Sequence, residues 1–180
     1  MVYMFLAQGF EEIEALCPLD LMRRAGVDIK TVAVGGGEFV TGSHGISVKA
    51  DMKDTDFADK TPEMVILPGG MPGTTNLDSS DTVTNAIENA LLCDAYICAI
   101  CAAPLVLGKR GILKGKEAIC YPGFEKELEG AIISEDYVVC DDNIITAKGA
   151  GVAVEFGLEI AAQLKGRDSS EKIRAAIQMK

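Results

Sequence analysis

The sequence predicts an α/β protein: a doubly wound, mostly parallel sheet covered by helices on both faces. Three observations carry this. Short, fully apolar runs recur along the chain, helical patterns lie between them in regular alternation, and the joins are marked by glycine and proline. Right-handed crossovers then stack the helices on the two sheet faces.

The elements follow in order. Residues 2–7 and 29–34 are β-branched and aromatic runs and are expected as strands, with a helix over 12–24 between them. That helix carries Glu11, Glu12 and Glu14 about its first turn and Arg23-Arg24 at its end, as the macrodipole favours. Residues 64–67 and 95–100 are further strands, separated by a helix over 81–92. A helix over 103–109 follows, started by Pro104. Residues 137–140 and 144–147 form a strand pair, and helices over 153–164 and 170–179 close the chain. Gly35-Gly36-Gly37 and Gly42 to Gly45 bracket Phe39-Val40, which is expected as a hairpin on the sheet edge. The triple glycine lacks the spacing of a phosphate loop and opens no helix.

At 180 residues and 48% hydrophobic, the chain supports one domain-sized core, taken as residues 1–180. Seventeen basic residues against twenty-seven acidic ones give a net charge of −10, the wrong sign for nucleic-acid or anionic-membrane binding. The apolar start lacks a basic region and runs into Glu11 and Glu12, so no signal peptide is expected. The longest nearly uncharged stretch, 95–108, is shorter than the ~20 residues of a membrane helix. The six cysteines are therefore read as cytosolic thiols.

In a doubly wound sheet the chemistry sits beyond the carboxyl ends of the strands. There, Ile100-Cys101-Ala102-Ala103-Pro104 reads as a strand-turn-helix elbow that thrusts Cys101 out of the sheet. Helix N-terminal amides favour a thiolate, so a lowered Cys101 pKa is expected. Cys98, inside the apolar run, is expected in the core. The pair also matches C-x-x-C, but a dithiol centre normally places its first cysteine at the helix start, and here the second stands there. A zinc site is disfavoured by the single histidine and the absence of a second close cysteine pair.

Leu67-Pro68-Gly69-Gly70 follows a buried strand and lets backbone N–H groups approach a ligand. The amides of Gly70 and Ala102 are expected to hold a developing oxyanion. Glu14 stands four residues before Pro18, which cannot donate to its carbonyl, so a kink is expected beside it. Held near Cys101, its carboxyl would act as acid or base, with a raised pKa. His44, between Ser43 and Gly45, reads either as an exposed turn or as the histidine of a cysteine dyad.

Residues 7–14 (AQGFEEIE), Arg23-Arg24-Ala25-Gly26, Leu67-Pro68-Gly69-Gly70, Cys98 to Pro104 and Lys148-Gly149-Ala150-Gly151 together resemble the ThiJ/PfpI superfamily, most nearly its DJ-one (parkinsonism-associated deglycase) branch. The resemblance implies a flavodoxin-like three-layer α/β/α sandwich of the class I glutamine amidotransferase-like kind, usually a homodimer. It also implies an oxidisable nucleophile at Cys101 with Glu14 as its carboxyl partner. The activities it implies are cofactor- and metal-free conversion of small aldehydes or dicarbonyls (glyoxalase III or deglycase type), peroxide sensing, chaperoning or, in some relatives, peptidase action. One position departs. Where glyoxalase-type members place a histidine near the cysteine, this chain carries Tyr121, and a phenol is no base at neutral pH. The family's basic pocket residue aligns with His44.

Overall fold

A computed structural model of the chain describes residues 1–179. The chain runs β1 (Val2–Leu6), α1 (Glu12–Arg24), β2 (Ile29–Ala33), β3 (Phe39–Thr41), β4 (Ser47–Lys49), β5 (Met52–Lys53), β6 (Met64–Leu67), α2 (Gly73–Asp78), α3 (Asp81–Leu92), β7 (Tyr96–Ile100), α4 (Pro104–Gly108), β8 (Glu117–Ala118), β9 (Ile132–Ile133), β10 (Val138–Asp141), β11 (Ile144–Ala147), α5 (Ala153–Lys165) and α6 (Arg167–Ala176).

The main sheet has seven strands in the order β10-β11-β7-β6-β1-β2-β5. Every neighbouring pair is parallel except β10 with β11. The expected mostly parallel α/β architecture is borne out. Period-two alternation splits the strands between two cores. Val2, Met4 and Leu6 of β1 pack with Met22, Phe156 and Ile160 on one face. Tyr3 and Phe5 pack with Val83, Ile87 and Val106 on the other. Burial on both faces is why these strands read as continuous apolar runs.

From β1 the chain steps to β2 and β5 on one side, then returns to place β6 on the other. The crevice where ligands bind in such sheets therefore opens at the carboxyl ends of β1 and β6. α1 continues through Pro18 and packs on α5, where Gly157 permits the approach: a Cβ there would stand 3.0 Å from the Pro18 Cα.

Three details differ from expectation. The hairpin is β3 paired antiparallel with β4, a separate two-stranded sheet rather than the edge of the main one. Gly42 and Gly45 sit in its turn, and it docks through backbone bonds from Gly9 N to Thr41 O and from Ser43 N to Phe10 O. The main sheet's edge beside β2 is instead the two-residue β5. The short helix α2 and the strand pair β8–β9 were not expected: α2 opens on glycine without a side-chain cap, and two-residue strands carry no periodicity. The last helix begins at Arg167 rather than Ser170. Among the described residues no helix is long and apolar enough to cross a membrane.

Candidate active site

Cys101 sits directly after β7 with φ +64, in the left-handed region where non-glycine residues are uncommon. Holding it there costs about 1–3 kcal/mol. Two bonds fix the turn: Cys101 N–H donates to Ala147 O of β11 at 2.9 Å, and Cys101 O accepts from Tyr121 N–H at 2.8 Å. Cys101 is half-buried, whereas Cys98 is fully buried within β7, and both are free thiols.

Glu14 comes from the first turn of α1 and is 1% exposed. Its neighbour Glu11 caps the helix, accepting the Glu14 N–H at 2.7 Å while its own N–H donates to Gly69 O at 2.9 Å. The Glu14 carboxyl accepts the Gly69 N–H at 3.0 Å and faces the Ala150 N–H and the Cys101 sulfur, both of which favour its charged form. Gly69 is wedged between the pair: a Cβ there would lie 2.5 Å from Glu14 Oε2 and 2.7 Å from Cys101 Cβ. A side chain at 69 would force the pair apart.

Burial, helped by the nearby Glu11 charge, pushes the Glu14 carboxyl up to about 7, against the opposing hydrogen bonds. The expected lowering at Cys101 does not occur. Burial and then the Glu14 carboxylate push its thiol up to about 12, although the Ala102 and Gly70 N–H groups face the sulfur and pull the other way. The helix behind it explains the difference: α4 has five residues and opens on a proline with no N–H, so it offers little dipole. The charge of Glu14 raises the thiol only while Glu14 is ionised. At rest the proton therefore stays on sulfur, and the ionised Glu14 carboxylate beside it is placed to accept that proton as the sulfur attacks.

His44 lies at the tip of the β3–β4 turn with its side chain 70% exposed. Its Nδ1 is 2.8 Å from Glu12 Oε2, and it is not among the groups that set the state of Cys101. Glu12 is the site residue that the sequence did not reveal. It is 4% exposed, and its Oε1 accepts the His44 N–H at 2.8 Å and the Ile46 N–H at 3.4 Å. Burial alone would raise Glu12, but the His44 side chain and these backbone donors hold its carboxyl down to about 2. The same bond raises His44. Glu12 thus clasps the hairpin turn to α1.

Glu11, Glu12 and His44 bring one ligand atom each within 4.8 Å of one another, the only such group among the described residues. Glu12 is already satisfied by His44 and backbone donors, and a helix N-terminus disfavours a cation.

Tyr121 is half exposed, and its ring covers Gly149, where a Cβ would lie 3.2 Å from Cδ2 and 3.9 Å from Glu14 Oε1. A cavity of about 410 Å³ opens here, lined by Tyr121, Pro122, Tyr137, Lys148, Gly149 and Val152 among others. The site thus gathers the carboxyl ends of β1, β6, β7 and β11.

A profile of the DJ-1/PfpI family matches residues 1–163. The Drosophila melanogaster protein dj-1beta is 34% identical over 170 residues, which cover 93% of this chain and 91% of that protein. The Caenorhabditis elegans protein named glutathione-independent glyoxalase DJR-1.2 is 32% identical over 164 residues, covering 91% of this chain and 87% of the relative. The solved structure of oxidised Toxoplasma gondii DJ-1 matches with a TM-score of 0.94 and 32% identity, over 98% of this chain and 97% of that one.

Proposed function

The chain belongs to the DJ-1/PfpI family, and from that membership we propose that it is a cofactor-independent cysteine enzyme acting on reactive dicarbonyls. One observation carries the reading: the buried Glu14 carboxyl, raised to about 7, faces Cys101 across Gly69, where a Cβ would lie 2.5 Å from Glu14 Oε2 and 2.7 Å from Cys101 Cβ. A relative named as a glutathione-independent glyoxalase supports the substrate class.

Glu14 takes the thiol proton as the sulfur adds to the aldehyde carbon. The Gly70 and Ala102 N–H groups, already turned on the sulfur, stabilise the charge as it passes to the carbonyl oxygen. Glu14 hands the thiol proton to that oxygen, which completes the hemithioacetal and restores the carboxylate. It then removes the C–H proton and returns it to the adjacent carbon while the hydroxyl proton passes to the former ketone oxygen, leaving a thioester on Cys101. The former aldehyde carbon is oxidised and the ketone carbon reduced within one molecule. Water then cleaves the thioester, so methylglyoxal plus water gives lactate and the free thiol. No external oxidant or reductant is required. The same reading has the protein working as a cytoplasmic homodimer, for which exposed Ile13, Phe39 and Ile46 offer apolar surface.

Lactate formed from methylglyoxal tests this directly. Wild type turns over, Cys101→Ser falls to background, and Glu14→Gln loses about 10²–10⁴-fold. A second reading, a redox-responsive protective protein without turnover, draws on the oxidised state of the Toxoplasma gondii relative. It replaces the first if wild type leaves methylglyoxal untouched while peroxide adds two oxygens to Cys101. A peptidase dyad is disfavoured because the single histidine is engaged by Glu12.

A further inference from the structure

We infer that the cavity beside Cys101 is a substrate-tail subsite, and that Lys148 makes it select α-oxoaldehydes bearing an anionic group, carboxylate or phosphate. The inference rests on the dicarbonyl reading and names the kind of dicarbonyl. Three observations carry it.

The cavity adjoins the reacting pair. Gly149 and Ala150 form part of its wall, and a Cβ at Gly149 would lie 3.9 Å from Glu14 Oε1. Tyr121, on the other wall, is tied by its own N–H to the carbonyl of Cys101. Neither Cys101 nor Glu14 lines the cavity itself, so a molecule seated there would reach past Tyr121 and Gly149 to carry its aldehyde to the sulfur while its far end stays in the cavity.

The space is larger than the smallest dicarbonyls need. About 410 Å³ falls within the roughly 300–1,000 Å³ of pockets that hold drug-sized ligands, so a three-carbon oxoaldehyde leaves most of it unfilled.

The third observation is the charge. Lys148 is half-buried, and among the described residues its ammonium has no carboxylate partner, although acidic residues outnumber basic ones by twenty-seven to seventeen. Lys116, by contrast, is paired at 2.8 Å with Asp142. Lys148 Nζ stands 4.8 Å from the centroid of the Tyr137 ring. Its backbone N–H donates to Tyr137 O at 2.9 Å, so chain and ring hold the side chain at the cavity. A ring face attracts the cation but offers no lone pair, which leaves the ammonium donors unfilled. An anion on the substrate fills them, and the aromatic walls of Tyr121 and Tyr137 suit a flat or apolar body between the aldehyde and the charge.

Two readouts separate this inference from the catalytic reading. The first is the ratio of kcat/KM for 4-carboxyphenylglyoxal to that for phenylglyoxal in the intact protein. It is expected to be about tenfold in wild type, to be kept in Lys148→Arg and to fall toward one in Lys148→Met. The second needs no turnover: NMR titration of the Gly149 and Gly151 amides with benzoate, phenyl phosphate and the neutral benzamide. One or both anions should bind several-fold tighter than benzamide, with the preference lost in Lys148→Met, and their order identifies carboxylate or phosphate as the preferred group. Anion-selective binding without turnover of any dicarbonyl upholds the subsite and removes the enzymatic reading. Turnover with equal use of both glyoxals overturns the subsite and leaves the chemistry standing. A preference for anions that survives in Lys148→Met also overturns it.

Discussion

Glu12 and Glu14 lie two residues apart on one helix, both less than 5% exposed, yet their carboxyls are driven in opposite directions, to about 2 and about 7. Burial pushes both up. It does so more strongly for Glu14, which lies deeper in the protein, and the partners do the rest. Glu12 faces a turn that supplies the His44 ring and the backbone N–H groups of His44 and Ile46, all favouring its charged form. Glu14 has two backbone donors and the Cys101 thiol favouring its charged form as well, but burial and the Glu11 carboxylate outweigh them. A glycine presses on each: Gly69 on Glu14, and Gly42 on Glu12, where a Cβ would overlap the carboxylate. The comparison teaches that a buried carboxyl becomes a structural clasp or a proton carrier according to what surrounds it.

The largest effect that tests this contrast is on stability against pH. Glu14 has a folded value near 7 and a reference value of 4.5, so the folded state holds its proton more tightly. Its contribution is fully present below pH 4.5 and is lost as pH rises through 7, an effect of roughly 3 kcal/mol. Denaturant titrations of wild type should show stability falling over that window, and Glu14→Gln should flatten the fall. Glu12 acts in reverse, stabilising above pH 4.5 and losing its effect as pH drops toward 2.

A smaller loss is expected for Glu12→Gln, which removes the charged acceptor of the hairpin clasp. It should cost about 2 kcal/mol of unfolding free energy, read from urea titration at pH 7. Its effect on turnover should be far below that of Glu14→Gln, and equal losses in the two variants would erase the distinction between clasp and proton carrier. The smallest effect is that of His44→Ala. With the ring exposed and bound to Glu12, methylglyoxal kcat/KM should stay within about twofold. A large loss would restore the dyad.

Much of this was legible in the sequence because the signals are local. Apolar runs gave the sheet, and Pro104 after Ile100-Cys101 marked the elbow. The glycines at 69 and 70 marked a close backbone approach, now seen as the wedge between Glu14 and Cys101. What was not legible depends on distant pairings. Glu12 looked like one more capping charge because its partners lie 31 to 34 residues away in the hairpin turn. The Ala150 donor to Glu14 and the cavity wall at Gly149 require β11 to stand beside β7, which no local pattern reveals. The sense of the Cys101 shift was misjudged for the same reason: the elbow announces helix amides, while the burial and the carboxylate that outweigh them come from other segments.

The most direct test of the coupled pair is the rate of Cys101 alkylation by iodoacetamide across pH, in wild type and Glu14→Gln. If Glu14 accepts the thiol proton as the sulfur attacks, the wild-type rate should rise with an inflection near pH 7, as Glu14 ionises, and then level off well before free ionisation near 12, and the inflection should vanish in Glu14→Gln. A single inflection near the ordinary thiol value of 9.0, unchanged in Glu14→Gln, would show that the two groups titrate independently and would contradict the account.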